Sequence, residues 1–319
     1  MVNKAHTAAS AAPFSSVTQL IADGLNTVLA RPLLVLIPLL VDSYYLLGWK
    51  ITLGPLLERL AARVEAREWS VSDRIVDILA DVGKLDLTGM FWIAIPSFLG
   101  GIEREGLYDP VSHSSLAVGD WLLAIFALVM IVVSTALMYA VFGIWLADTG
   151  MSRSRTWGER LRMTPATGVR ILGLVGLVLG LMLLLVLPIA LAWIATAIAG
   201  ADMRGLFLPM IGLVGVALVI LFSFAPEALF VAEAGPAEAM RLSAQVVKRH
   251  TWPALAFVVA TTIISWGLSE IWERMAANPP GMMLAILASA LVGCSLAMAA
   301  MLFFDERWRS LEPESMTTR

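Results

Sequence analysis

The sequence predicts an all-α protein whose helices form a bundle across a membrane. Apolar residues make up 59% of the chain and charged residues 15%, whereas soluble domains contain about 45–50% and about 25%. Five stretches also lack charged residues, and each is as long as the roughly 20 residues that span a bilayer. These stretches are Trp121–Ala147, Ile171–Ala201, Gly205–Pro226, His250–Ser269 and Met275–Phe304.

A sixth span is predicted near the N-terminus. Pro32–Leu53 is apolar except for Asp42 and Lys50. Met90–Gly101 is also apolar, but its length is typical of a re-entrant or interfacial segment rather than a span. We therefore expect six spans, or seven if Met90–Gly101 crosses the membrane.

Basic residues indicate how these spans are oriented. The connection Asp148–Arg170 contains five arginines, and Glu227–Arg249 contains two arginines and a lysine. The alternate connections contain one basic residue each, Arg204 and Arg274. Because short basic loops remain cytoplasmic, we expect a multi-pass protein with both termini on the cytoplasmic side.

The largest connection between spans is predicted to be a helical insertion on the outer face. It covers residues 54–120 of an otherwise single membrane domain, 1–319. Pro55–Arg67 has apolar residues at helical spacing, and Ser70 with Asp73 resembles a capping box that begins a second helix. We expect this insertion to be small, acidic and helical, with Met90–Gly101 near its end.

Three spans share a similar approach from the cytoplasmic side. An amphipathic or basic segment and then a proline precede each of them, and these segments are Phe14–Ala30, Ser152–Met163 and Pro236–His250. Amphipathic helices with basic polar faces lie in the headgroup plane. The pattern predicts three interfacial helices, each followed by a proline break and a hairpin of spans.

The last predicted span contains small residues at every fourth position. Small residues at this spacing allow helix backbones to approach closely. We expect this face to pack against other helices of the same chain. The face consists of Gly281, Ala285, Ser289, Gly293 and Ala297.

Asp42 is the most unusual residue of the predicted spans. It lies about 15 Å along the first span, where a charge costs at least about 2.5–3.5 kcal/mol. It is either a proton or cation site or a structural hydrogen bond, and the lack of a second charge near it favours the latter. Tyr139 is a candidate partner, and Glu227 is a second carboxyl group that we expect nearer the cytoplasmic interface. Further candidate partners are Ser134, Thr135, Ser223, Thr261, Thr262 and Ser265.

The sequence contains no recognisable motif for catalysis or metal binding. HExxH, GxSxG, P-loop and CxxC patterns are absent, and Cys294 is the single cysteine. The net charge of −3 gives no indication of a nucleic-acid partner. We therefore expect no enzymatic activity and no cofactor. The expected partners are membrane lipids and a protein in the membrane.

Two motifs near the C-terminus resemble a known family. Ala239–Pro253 reads AMRLSAQVVKRHTWP, and Leu302–Arg309 reads LFFDERWR. Together they resemble the six-helix membrane domain that accompanies some bacterial glycerophosphodiester phosphodiesterases, and related uncharacterised inner-membrane proteins. The resemblance covers residues 235–312. It implies a module of a bacterial cytoplasmic (inner) membrane. It also implies no catalysis, because the phosphodiesterase activity of those proteins belongs to a separate soluble domain.

Two hypotheses for function follow from these observations. The first is a non-enzymatic scaffold or accessory subunit that organises lipids or partner proteins. The second is a proton- or cation-coupled transporter or channel that uses Asp42. A polar cavity that reaches Asp42 would favour transport, and a dry, well-packed bundle would favour the scaffold.

Overall fold

The computed structural model describes residues 14–47, 50–66, 76–77, 79–80, 82–83, 115–198 and 204–311. Regular structure in these ranges is almost entirely helical, which confirms the predicted fold class. Five helices are long and apolar enough to span a membrane, and a bent helix pair gives a sixth span if the pair crosses as one. The predicted Met90–Gly101 segment and the Ser70–Asp73 capping box lie outside the described residues.

The bent pair lies at the N-terminal end of the described chain. It consists of α1 (Val17–Ala30), a 3-10 turn (Pro32–Val35) and α2 (Leu36–Leu47). The two halves meet at 97°. Pro32 explains the bend, because proline cannot donate a hydrogen bond to a continuing helix but fits the first turn of a new one. The break therefore lies where the Arg31-Pro32 pair predicts it.

Two short strands pair at the two ends of the segment that connects α2 to the next long helix. β1 (Lys50–Thr52) and β2 (Ser115–Ala117) pair in parallel, with α3 (Gly54–Glu65) directly after β1. Arg59 on α3 donates a hydrogen bond to the backbone carbonyl of Gly119 at 2.9 Å. α3 coincides with the first helix that the sequence predicts here. The strands are too short to produce the alternating pattern from which a strand is predicted.

The next two helices form a hairpin with a short connection. They are α4 (Trp121–Gly150) and α5 (Trp157–Ile198). The interpretation of Ser152–Met163 as a separate interfacial helix is wrong, because α5 continues through Pro165. Residues on both sides of this proline pack on α4, and Thr164 is buried. These contacts offset the roughly 3 kcal/mol that a proline inside a helix costs.

The following span is interrupted near its C-terminal end. α6 (Arg204–Leu221) ends in a turn, and α7 (Ala225–Val231) continues after it. The sequence predicts an unbroken span over Gly205–Pro226, which the turn at residues 222–224 corrects. Pro226 occupies the first turn of α7, where its missing N–H group is tolerated.

The last three helices complete the bundle. They are α8 (Pro236–Arg249), α9 (Thr251–Met275) and α10 (Pro279–Arg309). α8 and α9 are separate helices that meet at His250, as the sequence predicts. Asn278 caps α10, because its side chain accepts a hydrogen bond from the backbone N–H of Gly281 at 2.9 Å.

α10 lies at the centre of the bundle, and α1 packs along it. A Cβ atom on Gly24 of α1 would press against the backbone oxygen of Ser295 and lie 3.0 Å from the backbone nitrogen of Ala299. The closest approach is therefore made by small residues on both helices. Of the predicted packing face, Ala285 is buried. Its other members are half-buried, namely Gly281, Ser289, Gly293 and Ala297.

Candidate functional site

A polar cavity of about 350 Å³ lies between the α6–α7 break, α9 and α10. Glu227 contributes a carboxyl group to its lining. Four residues contribute hydroxyl groups, namely Ser223, Thr261, Thr262 and Ser265. The remaining lining is apolar or aromatic, namely Phe224, Phe257, Val258, Trp266, Leu296 and Ala300.

The cavity lies within the membrane-spanning part of the bundle. Thr261 is ten residues beyond the first residue of α9, which places it about 15 Å along that helix. Trp266 is 78% exposed, and Thr262 and Ser265 are exposed beside it. The cavity therefore opens sideways, on a surface that faces the hydrocarbon of the bilayer.

The break that positions Glu227 is stabilised by a buried serine on α8. The Ser243 hydroxyl accepts a hydrogen bond from the backbone N–H of Phe224 at 3.2 Å and donates one to the carbonyl of Leu221 at 2.9 Å. Ser243 is completely buried. Since an interrupted helix leaves backbone groups without partners, this hydroxyl allows the chain to turn inside the membrane and orient Glu227.

Glu227 has a buried oxygen atom with an unfilled hydrogen-bonding capacity. Its Oε2 has no hydrogen-bond partner among the residues that the structure describes. A buried polar atom without a partner lowers the stability of the folded protein by roughly 1–3 kcal/mol, and by more when the atom is charged. A carboxyl group left in this state inside a membrane is a strong indication of a functional site.

Three of the surrounding hydroxyl groups already donate hydrogen bonds to backbone carbonyls of their own helices or of the turn that follows. Ser223 donates to the carbonyl of Ile220 at 2.9 Å. Thr261 donates to the carbonyl of Phe257 at 2.9 Å, and Thr262 donates to that of Val258 at 2.7 Å. Their oxygen lone pairs remain as hydrogen-bond acceptors. The polar side of the cavity therefore mainly accepts hydrogen bonds.

The structure brings two of the three predicted polar residues close together. Tyr139 on α4 lies near enough to Glu227 for an electrostatic interaction, and its ring packs edge-on against Phe230 with centroids 5.4 Å apart. Asp42 is fully buried, and it interacts with at least one other group. It is not among the residues that line the Glu227 cavity.

Several hydroxyl groups that the sequence suggests as partners of Asp42 instead surround Glu227. The sequence placed Asp42 near the middle of its span and Glu227 nearer the cytoplasmic interface, but it did not show which of the two carboxyl groups lines a cavity. The signal that could have separated them is Pro226. A proline at this position predicts a helix break, and intramembrane breaks often adjoin polar sites.

A network of ion pairs fixes the α4–α5 hairpin at its connecting end. Asp148 is buried, and it lies 3.3 Å from Nη1 of Arg155 and 2.9 Å from Nε of Arg160. Arg155 also contacts Glu233 in the α7–α8 loop, and Arg153 approaches Glu233 to 3.1 Å. The sequence analysis uses these arginines only as indicators of orientation. The structure shows that they also connect three parts of the chain.

A second cluster joins the C-terminal end of α10 to the start of the described chain. Arg307 is buried, with its guanidinium 4.1 Å from the ring centre of Phe14 and 5.0 Å from that of Phe303. Its Nη2 donates a hydrogen bond to the carbonyl of Ser15 at 3.2 Å. Cation–π contacts of this kind add to stability when the charge is desolvated.

His250 lies at the edge of this second cluster, in the break between α8 and α9. Its ring packs edge-on against Phe14, with centroids 5.3 Å apart, and its Nε2 is 3.3 Å from the Ser310 hydroxyl. Partial burial and the nearby charges of Arg307 and Arg249 lower the pKa of His250. All three causes favour the neutral imidazole.

These features define a multi-pass α-helical membrane protein. No family model, no curated protein and no solved structure matches the chain. Among the described residues, no three His, Cys, Asp or Glu side chains lie together as a group that could hold a metal ion. The resemblance to the phosphodiesterase-associated membrane domain stays a prediction.

Proposed function

We propose that this membrane protein is a non-enzymatic scaffold or accessory subunit that organises lipids. One observation carries the proposal, a groove of about 490 Å³ between α5 and α8. Gly176 and Gly180 of α5 form one wall, and Met240 and Arg241 of α8 form part of the other. We assign the groove to an anionic phospholipid, with an acyl chain on the glycine face and the phosphate near Arg241.

The apolar wall of the groove is accessible along the α5 backbone. Among the described residues, no atom lies within 4 Å of where a Cβ would be at Gly176 or Gly180. An acyl chain can therefore contact the α5 backbone directly. Glycine faces of this kind also favour helix contacts, so a partner helix or a second copy of the chain is the alternative occupant.

The rim of the groove favours an anionic headgroup. The Arg241 side chain is 66% exposed and lies 3.6 Å from Glu238. Since an exposed pair at this separation contributes little, the guanidinium remains accessible to a phosphate. Lys248 and Arg249 end the same helix, and each basic residue near an anionic membrane surface adds about 1 kcal/mol of attraction.

We further propose that α8 faces the cytoplasm of a bacterial cell, with both termini on that side. The arginine-rich connections and the resemblance to a bacterial membrane domain support this orientation. Labelling of Ser154→Cys by a membrane-impermeant thiol reagent tests it. The cysteine should react only after lysis, and reaction in intact cells would reverse the orientation.

Native mass spectrometry of the protein in a neutral detergent tests the lipid proposal. Wild-type protein should retain anionic phospholipid. Gly180→Leu fills the groove and should reduce retention severalfold, whereas Gly212→Leu is the matched control, because Gly212 is also open but lies on α6. Arg241→Gln should reduce the preference for anionic over zwitterionic lipid. Equal retention by Gly180→Leu and Gly212→Leu would contradict the proposal.

Transport of a proton or cation is the second candidate function, and the Glu227 cavity favours it. In this case the carboxyl group that acts is Glu227, because it lines the cavity whereas Asp42 does not. Flux measurements in proteoliposomes distinguish the candidates. Cation-driven flux that Glu227→Gln abolishes and Asp42→Asn preserves would favour transport through this cavity.

A further inference from the structure

The chemistry of the Glu227 cavity selects the kind of ligand that it can hold. Its polar atoms are a carboxyl group and four hydroxyl groups, of which at least three have donated their protons to backbone carbonyls. The described lining includes no Lys, Arg or His. A ligand that supplies hydrogen-bond donors therefore matches this lining, and a positive charge on it would balance an ionised Glu227.

The aromatic wall points to the same ligand chemistry. Phe224, Phe257 and Trp266 line the cavity beside Glu227. The first two rings are held in place by Phe303, whose centroid is 4.9 Å from each of theirs. Aromatic faces attract cations, most strongly where water is excluded. A carboxylate beside several rings is the arrangement that recognises an organic ammonium group.

The opening of the cavity indicates how such a ligand arrives. Thr262, Ser265 and Trp266 are exposed on the outer face of α9, well inside its membrane-spanning length. A ligand from the bilayer can enter sideways without crossing the helix bundle. Such a ligand has an apolar tail that stays in the lipid and a polar head that enters the cavity.

We propose that this cavity is a binding site for a membrane-soluble amphiphile with a protonated amine, with Glu227 as the counter-ion. The ammonium pairs with the carboxylate of Glu227 and donates hydrogen bonds to the hydroxyl oxygens of Ser223 and Thr261. The rings of Phe257 and Trp266 cover its apolar side. This inference goes beyond the lipid-scaffold proposal, and it involves a different cavity and different residues from the α5–α8 groove.

Thermal stability of the purified full-length protein in a neutral maltoside detergent tests the proposal. Dodecylamine is the probe, at pH 7 and below its critical micelle concentration, and dodecanol is the uncharged control of equal chain length. We expect saturable stabilisation of the wild type by dodecylamine and none by dodecanol. Equal effects of the two compounds would overturn the proposal, and this comparison requires no variant.

Two variants then locate the site. Glu227→Gln keeps the shape but removes the charge, and it should weaken dodecylamine binding about ten- to a hundredfold. Glu270→Gln is the matched control, because Glu270 is an exposed carboxylate on α9 that is paired with Arg274. It should bind as the wild type does. Unchanged binding by Glu227→Gln would place the amine elsewhere and contradict the assignment.

A titration with sodium and potassium chloride distinguishes an organic ammonium from a simple cation. Under the proposal, these ions shift the melting temperatures of the wild type and of Glu227→Gln by the same amount. Saturable stabilisation of the wild type alone by sodium, with none by dodecylamine, would overturn the ammonium assignment in favour of an inorganic cation site. The lipid-groove variant Gly180→Leu should retain amine binding, so that failure of one proposal leaves the other testable.

Discussion

α10 and the α5–α6 hairpin have similar hydropathy but opposite surroundings. The most apolar windows of α10, α5 and α6 have mean hydropathies of 2.2, 2.9 and 2.6. In α10, 44% of that window is buried, whereas the share is 6% in α5 and 0% in the described window of α6. Apolar composition therefore identifies a helix that can enter a membrane, but it does not show whether lipid or protein surrounds it.

The difference in burial between these helices depends on whether their small residues contact another helix. Gly24 of α1 lies directly against Ser295 and Ala299 of α10, so two backbones approach closely there. Gly176, Gly180 and other glycines of the hairpin have open space at the corresponding distance, among the residues that the structure describes. Without a hydrophobic driving force in lipid, close packing of this kind decides which helices associate.

The largest effect that separates the two regions should come from truncating large side chains. Met298 on α10 is 0% exposed, and Leu213 on α6 is 71% exposed. Met298→Ala should cost about 2–5 kcal/mol through the cavity that it leaves. Leu213→Ala should change stability by less than about 0.5 kcal/mol. Thermal unfolding in detergent measures both, and similar losses at both positions would contradict the division.

A bulky residue at a helix crossing should also separate the regions. Gly24→Leu would force α1 away from the α10 backbone, so we expect a loss of about 1–3 kcal/mol. Gly212→Leu is the matched control on α6 and should be neutral or slightly stabilising, because leucine forms helices better than glycine by up to about 1 kcal/mol. A variant of Gly24 that is as stable as the control would show that the α1–α10 contact is not close.

The ion-pair network should matter most for the α4–α5 hairpin, because it joins the connection between these two helices to the α7–α8 loop. Asp148→Asn removes the charge that Arg155 and Arg160 share. Those arginines are 23% and 19% exposed, so we expect a loss of about 1–3 kcal/mol, below the value for a fully buried pair. Limited proteolysis of the Gly150–Trp157 connection should become faster. No change in either measurement would show that the network is dispensable.

The smallest effect should be the pH dependence that His250 adds on the α1–α10 side. Its pKa is lower in the folded protein than in the unfolded chain, so the unfolded chain binds the proton first as the pH falls. The resulting stability is complete above the unfolded pKa of about 6.5 and declines below it. Melting temperatures from pH 7.5 to pH 5 should therefore fall more for the wild type than for His250→Gln. Identical pH profiles would exclude this contribution.

The sequence predicted the elements more reliably than their contacts. The break at Pro32 and the separation of α8 from α9 depend on proline and on local amphipathicity, and both are visible in the sequence. The continuity of α5 through Pro165 depends on packing against α4, which local patterns do not contain. The break before α7 is stabilised by Ser243, 19 residues away from Phe224, so the fold around it could not be predicted from neighbouring residues.

The candidate site shows the same limit. The sequence singled out Asp42, Tyr139 and Glu227 because titratable groups are rare in membrane spans. It expected Glu227 near the interface and grouped the intramembrane hydroxyls with Asp42. The structure places four of those hydroxyls around Glu227, since α9 and the α6–α7 break meet there. Which carboxyl group faces a cavity depends on tertiary packing, and a single sequence does not encode that in a readable pattern.

Photolabelling of the unmodified protein with a lipid-soluble diazirine tests the central claim most directly. The purified protein is placed in liposomes, labelled by light and mapped by mass spectrometry. We predict heavy labelling of the α5–α6 hairpin, including Leu183 and Leu213, and little labelling of the buried α10 residues Met298 and Ala299. Labelling of the hairpin as weak as that of α10 would contradict the account, because the hairpin would then be enclosed by protein rather than by lipid.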